Sequence, residues 1–301
     1  MQNACPRCNL PIAAPLGMTV TCRCGHVLTI QPVEPTPQRR GLVQVPRMTD
    51  VIRPRRSLAV VTVAAGREAQ ELLSITGQRM EEYAEQCDAD FVLLSGDQCP
   101  EWPIGNKFRV AQVADRYDRT LFIDVDVWIR RDAPNLFQRY EPGKVWMHDD
   151  TPYLDCVTWL RNEMAAVALS QQAKKPRPLK CWNTGVVLVD RSDAVIWKAP
   201  SKPIPLGHVM EQHHVTISAQ RHGRKIVSIE RGHNLQWWMK HHFRAYRSSA
   251  DLIHLANAPR HERLHVLRHY EQTDCHPDDA ADGLHAPLRL TGATRRRMER
   301  R

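Results

Sequence analysis

The stretch TLFIDVDVWI, residues 120–129, runs an apolar strand into two aspartates, Asp124 and Asp126, separated by a single residue. A strand's period of two puts both carboxylates on one face. Two like charges held side by side repel. A hard divalent cation, Mn²⁺ or Mg²⁺, relieves that repulsion and completes its coordination with substrate phosphate oxygens and water. The C-terminal end of a strand in an α/β sheet is also where ligands collect.

Outward from this strand, apolar runs alternate with amphipathic segments from Ser57 onward. LAVVTVAA (58–65) is a continuous β-branched run of the kind buried on both sheet faces. A helix is predicted over Glu68–Cys87, a strand over Asp90–Gly96 and a helix over Lys107–Arg116. After the acidic strand come KVWMHDD (144–150), a helical stretch from Tyr153 to Gln171, and the strand NTGVVLVDR (183–191). This order predicts an α/β fold with a mixed, mostly parallel sheet flanked by helices. The assigned domain runs over 57–272, followed by a flexible basic tail at 273–301.

The chain has 301 residues, 42% of them hydrophobic, and a formal net charge of +9. This is the composition of a globular protein, not a disordered one. The N-terminus lacks a basic segment followed by an apolar run, and the longest apolar run, Leu58–Ala65, is far short of the roughly 20 residues a bilayer needs. No transmembrane anchor and a cytoplasmic location are therefore expected. Residues 31–56 hold five prolines and six arginines and read as a linker. Ahead of it, residues 1–30 carry Cys5 and Cys8, then thirteen residues, then Cys22 and Cys24. Four thiolates in two short knuckles suit a closed tetrahedral Zn²⁺ site, so a small zinc ribbon is expected, with the metal supplying much of its stability. The remaining cysteines, Cys87, Cys99, Cys156, Cys181 and Cys275, show no such spacing. The arginines cluster at Arg39/Arg40, Arg53/Arg55/Arg56 and Arg295–Arg297, a distribution that leaves a nucleic-acid partner open.

From Ser57 to Leu264 the sequence resembles the GT-A glycosyltransferases, especially glycogenin-like and galactosyltransferase-like members. The resemblance rests on five features in order: the opening strand and helix, NKFRVAQVADRYDRTLFIDVDVWI (106–129), CWNTGVVLVDR (181–191), EQHH (211–214) and DLIHLANAPR (251–260). It implies a nucleotide-sugar transferase. Asp124 and Asp126 would hold the metal with His254, and Val125 would lie against the nucleotide. Lys107 resembles the lysine that helps hold the nucleotide, and Thr62, Val63 and Ala64 resemble the segment that cradles the uracil of a UDP-sugar or another base. Asn183 is similar to the polar residue facing the transferred sugar, with Thr184 and Gly185 letting the chain pass close to it. Glu211 and Gln212 resemble the acidic–amide pair beneath the sugar. The basic residue expected soon after the late histidine is matched only by Arg260.

The acceptor implied is a saccharide, glycan or protein. A phage-type transferase that modifies nucleic acid is a second reading, with the ribbon and arginine clusters holding DNA, and a non-catalytic zinc-ribbon binding module is a third. Retention and inversion at the sugar carbon stay open, since Glu211, Asp149 or Asp150 could each serve as a base. Trp237, Trp238, His241 and His242, between Gln212 and His254, are residues that either line an acceptor groove or pack.

Overall fold

The computed structural model describes residues 54–278 except 155, 156, 206 and 208, together with the backbone of five short strands nearer the N-terminus. The chain divides into two compact units, Met1–Arg40 and Gly41–Arg301. In the first unit, Asn3–Ala4 pairs antiparallel with Pro11–Ile12, and Thr19–Thr21 with Val27–Thr29. Each predicted cysteine knuckle falls in sequence between the two strands of one pair, while Cys5, Cys8, Cys22 and Cys24 themselves lie outside the described residues. The tail beyond 278, with Arg295–Arg297, also lies outside them.

In the second unit the opening strand is β1 (Leu58–Ala64), followed by helix α1 (Gly66–Gln86) and β2 (Asp90–Ser95). A 3₁₀ turn, Pro103–Arg109, leads into α2 (Val110–Ala114) and β3 (Arg119–Ile123). Then come β4 (Val127–Ile129), α3 (Leu136–Arg139), β5 (Val145–Asp149), α4 (Thr158–Ser170) and β6 (Trp182–Asp190). The last elements are α5 (Met210–Arg221), β7 (Ile226–Ser228), β8 (Leu235–Gln236), α6 (His241–Tyr246), β9 (Leu252–His254) and α7 (Arg260–Thr273).

The main sheet has the order β7-β5-β6-β3-β1-β2, and every neighbouring pair is parallel except the two made by β6. It is the expected mixed, mostly parallel α/β sheet. Its strands are apolar on both faces because both are covered. Val60, Leu121, Ile123, Val186 and Leu188 pack with Met80 and Tyr83 of α1. Their neighbours Val61, Phe122 and Val187 point the other way, to α2, Trp197, Met164 of α4 and Val215 of α5. A second, three-stranded sheet runs β8-β9-β4, with β9 parallel to β8 and antiparallel to β4.

Residues 120–129 are where the structure departs from the sequence reading. The predicted single strand is two strands in two different sheets. Asp124 still donates its backbone N–H to the Gly185 carbonyl at 2.8 Å, extending the β3–β6 ladder, and the Asp126 carbonyl accepts from Leu255 N at 3.0 Å, extending the β4–β9 ladder. Between them Val127 N bonds back to the Asp124 carbonyl at 3.1 Å. The acidic pair therefore occupies a turn at which the chain changes sheets, and strand alternation is not what brings the carboxylates together. The predicted helix over Lys107–Arg116 is likewise split, leaving Lys107 on the 3₁₀ turn.

Part of the basic stretch before β1 is committed to the fold. Arg56 donates from Nη1 to the Ala89 carbonyl at 2.7 Å and pairs with Asp88 at 3.2 Å. The backbone N–H groups of Arg55 and Arg56 both bond Asp90. Leu42–Val43, in the expected linker, pairs antiparallel with Ile204–Pro205. Among the described residues no helix is long and apolar enough to cross a membrane.

Helix α5 is anchored by His214, whose ring meets Phe108 edge-on at 5.2 Å and whose Nε2 donates to the Lys198 carbonyl at 3.0 Å. Its Nδ1 is buried without a partner. Burial pulls the imidazole pKa down to about 4. The unfolded chain takes up this proton first as pH falls, so the contribution is complete above pH ~6.5 and is lost between there and about 4. Over that interval the wild type should lose roughly 3 kcal/mol more than His214→Gln in urea unfolding. Parallel pH profiles for the two proteins would rule this out.

Candidate active site

His254 reaches the acidic turn through strand register. Antiparallel pairing of β4 with β9 sets His254 opposite Val127, the residue after Asp126. The His254 Nε2 lies 3.3 Å from Asp126 Oδ1 and 3.8 Å from Asp124 Oδ2. One ligand atom from each of Asp124, Asp126 and His254 falls within 4.8 Å of the others, the only such group of three or more among the described residues.

The tautomer of His254 follows from the backbone. Gly185 N–H donates to Asn183 Oδ1 at 2.8 Å, which fixes that atom as the amide oxygen. Asn234 Nδ2 donates to the same oxygen at 2.9 Å, so Asn234 turns its own Oδ1 to His254 Nδ1, also 2.9 Å away. An amide oxygen only accepts, and His254 Nδ1 therefore carries a proton. Nε2 then faces two carboxylates with either a second proton, making the ring cationic, or a lone pair that needs a cation in front of it. The cluster is built for positive charge.

Gly185 is required for a second reason. A Cβ there would lie 2.1 Å from His254 Cε1 and 2.5 Å from Nδ1, so the imidazole occupies the space a side chain would fill. The close approach expected at this glycine is to His254. Around it, β5 and β6 shift register between Met147 and His148, an irregularity of the kind that re-aims side chains beside sites.

Cations of the chain flank the cluster. Lys107 Nζ lies 2.7 Å from Asp124 Oδ2 and 3.9 Å from Glu211 Oε1. Burial alone would depress its pKa, but Asp124 and Glu211 outweigh that and hold the ammonium above its usual range. The Lys107 turn is pinned by Asn106, which donates to Asp97 and to the Pro103 carbonyl, both at 2.8 Å. Arg263, from the first turn of α7, sets Nη1 3.6 Å from Asp126 Oδ2 and 3.4 Å from Glu68. Burial acts to raise Asp126, but His254 and Arg263 win and lower it to about 2, whereas burial prevails at Asp124 and raises it.

On the other side, Glu211 opens α5 and is buried. Its Oε1 accepts from Thr184 Oγ1 at 3.1 Å, and its Oε2 is buried without a partner. Burial raises its pKa against the pull of Lys107. Gln212 also leaves its amide oxygen buried and unpartnered. Asn183 is saturated instead of open. Besides accepting from Gly185 and Asn234 it donates to Gln236 Oε1 at 3.0 Å, and Gln236 donates to Asp150 Oδ1 at 2.6 Å. His148 Nδ1 meets that same carboxylate oxygen at 2.8 Å.

Some expected contacts are redirected. Thr62 and Ala64 are fully buried, leaving Val63 as the partly exposed member of the segment read as a base cradle. The Val125 side chain belongs to the core under α1 and α7, and its carbonyl accepts from Thr76 at 2.9 Å. Only its backbone is left for a ligand. Arg260 turns outward to pair with Glu71 on α1. Sequence reading missed Arg263, three residues on and on the helix face toward the turn; the i, i+3 spacing from Arg260 was the available signal. It also missed Gln236 of β8 and Asn234, which stands just before that strand.

No family model matches this chain, and no curated protein does. Among solved structures it is similar to a glycosyltransferase involved in glycosylation of the major capsid of PBCV-1, with 16% identity over 70% of this chain and 98% of that one at a TM-score of 0.49. It is also similar to the galactosyltransferase LgtC, solved with donor and acceptor sugar analogs, with 10% identity over 66% of this chain and 87% of that one at 0.43. Mouse xyloside xylosyltransferase 1 matches at 12% identity over 67% and 99% at 0.38. These likenesses are distant, and the reading of the site stands on its own geometry.

Because Gly185 and Asn234 both set the imidazole, Gly185→Ala and Asn234→Leu should each weaken Mn²⁺ binding by about 10- to 100-fold while the protein stays folded. Titration followed by the Mn²⁺ paramagnetic signal reads this directly. Wild-type affinity in both variants would show that the tautomer argument does not govern the cluster.

Proposed function

We propose that this chain is a metal-dependent glycosyltransferase that moves a sugar from a nucleoside-diphosphate sugar, preferentially a UDP-sugar, to a saccharide, glycan or protein acceptor. The observation that carries the reading is the group of Asp124, Asp126 and His254, with the proton of His254 fixed on Nδ1 and cationic side chains on both flanks. Two carboxylates and one imidazole suit Mn²⁺ or Mg²⁺ and leave positions for two phosphate oxygens. Bound there, the cation would neutralise charge developing on the departing diphosphate.

The chain's own groups divide the remaining work. Lys107 beside Asp124 and Arg263 beside Asp126 supply fixed positive charge where a diphosphate would lie, which is electrostatic preorganisation. Arg263 takes the clamping part that the sequence reading could offer only to Arg260. Thr184 holds the buried Glu211 in place beside Lys107, so that a carboxylate stands under the reacting region with one oxygen uncommitted. Asn183 acts as the brace joining the His254 side of the site to Asp150. Cys5, Cys8, Cys22 and Cys24 would hold a separate, structural Zn²⁺ in a zinc ribbon.

Hydrolysis of UDP-sugars in the presence of Mn²⁺ tests the central reading. A chelator and Asp126→Ala should each lower turnover by on the order of 10³. Glu211→Gln should lower kcat with little change in donor KM, as expected for a group that acts after binding. Turnover that persists undiminished in chelator, or in Asp126→Ala, would refute it.

A further inference from the structure

A row of aromatic rings leads from the buried polar network to the surface. His148, bonded to Asp150, stacks on Tyr153 at 5.7 Å with planes 18° apart. Tyr153 meets His242 of α6 at 4.9 Å in a T-shaped contact, and His242 lies parallel to Tyr246 at 6.4 Å. Trp238 donates its indole N–H to Gln236 Oε1 at 2.6 Å, so a further ring is fixed by the side chain that also binds Asp150. Tyr153, Trp238 and Tyr246 are partly exposed, and His242 is exposed. Trp237 is not part of the row; it packs on Phe243 and His276.

Between Glu230 and Asp251 the sequence has no acidic residue and four basic ones; Arg247 is buried and pairs with Asp278 at 3.1 Å, which leaves Arg231, Lys240 and Arg244 at least partly exposed. Arg231 lies over the Tyr246 ring at 3.7 Å. Lys240 and Arg244 are exposed, and neither forms an ion pair among the described residues. Lys240 also holds a φ of 30°, a conformation side chains avoid unless the surroundings enforce it and one that recurs at ligand sites.

We propose that this face seats the acceptor, and that the acceptor is an acidic saccharide. Flat rings anchored at one end by hydrogen bonds offer rigid apolar faces to a sugar at little entropic cost. Arg231, held over the Tyr246 ring, and the exposed cations of the same segment, Lys240 and Arg244, favour carboxylate, sulfate or phosphate groups over a neutral glycan. The inference rests on the transferase reading for its word acceptor, but the binding it describes needs neither donor nor metal.

Binding of trigalacturonate, maltotriose and a short oligothymidylate, each without donor, is the test. Trigalacturonate should bind at least about tenfold more tightly than maltotriose. Tyr153→Ala and the double variant Lys240→Glu/Arg244→Glu should each weaken it by about tenfold, with thermal unfolding showing that both remain folded. Equal affinity for the two trisaccharides overturns the proposal. So does oligothymidylate binding as tight as that of trigalacturonate and indifferent to Tyr153→Ala, which would mark the face as a nucleic-acid surface. Wild-type UDP-sugar hydrolysis, measured separately, distinguishes the two readings: trigalacturonate binding without hydrolysis supports the surface and removes the transferase, and hydrolysis without acidic preference does the reverse.

Discussion

One backbone hydrogen bond, from Gly185 N–H to Asn183 Oδ1, orders the polar centre of this protein. A main-chain N–H can only donate, so the amide of Asn183 has one allowed orientation, and that orientation passes to Asn234 and then to His254. The network is fixed from its other end as well, because the Trp238 indole can only donate to Gln236. Side chains on β5, β6, β8 and β9 are thereby held in a single arrangement, with every donor meeting an acceptor. Such a network in a low-dielectric interior is strongly specifying when complete and costly when broken.

Strand alternation then divides the labour along β6. Asn183 and Thr184 are adjacent and so project to opposite sides of the strand. Asn183 serves the histidine side of the site, while Thr184 bonds Glu211 and lies 3.4 Å from the Lys107 ammonium. Gly185, next along, keeps the space into which the imidazole fits. Three consecutive residues thus do three different jobs, which is why the short string NTG carried so much meaning when read as sequence.

The architecture was legible because apolar strands and amphipathic helices alternate with clear periods, and β1, α1, β2, β5 and β6 lie within a few residues of their expected limits. The acidic turn was read as a strand because its flanks TLFI and VWI are both apolar, and hydrophobicity alone does not say which sheet a run joins. What separates them is tertiary: β3 pairs with β6, and β4 pairs with β9 from far along the chain. Arg263 was hidden for a related reason. Helix α7 presents Arg260 to Glu71 and Arg263 to Asp126, and that rotation is set by packing on α1. Local pattern marked Asp124, Asp126 and His254 as chemistry-bearing, but the partners that orient them are ordinary amides without a sequence signature of their own.

The change of sheet at the acidic turn also bears on how the molecule holds together. Asp124 directly follows a strand of the six-stranded sheet and Asp126 directly precedes one of the three-stranded sheet, while His254 comes from the latter. An ion gripped by all three is therefore a rivet between two sheets, absent from the unfolded chain because its ligands are then scattered. Such a rivet shifts the folding equilibrium by RT ln(1 + [L]/Kd), about 2.7 kcal/mol at a free concentration one hundred times Kd. A cation bound there would thus act on the stability of the fold as well as on the proposed reaction.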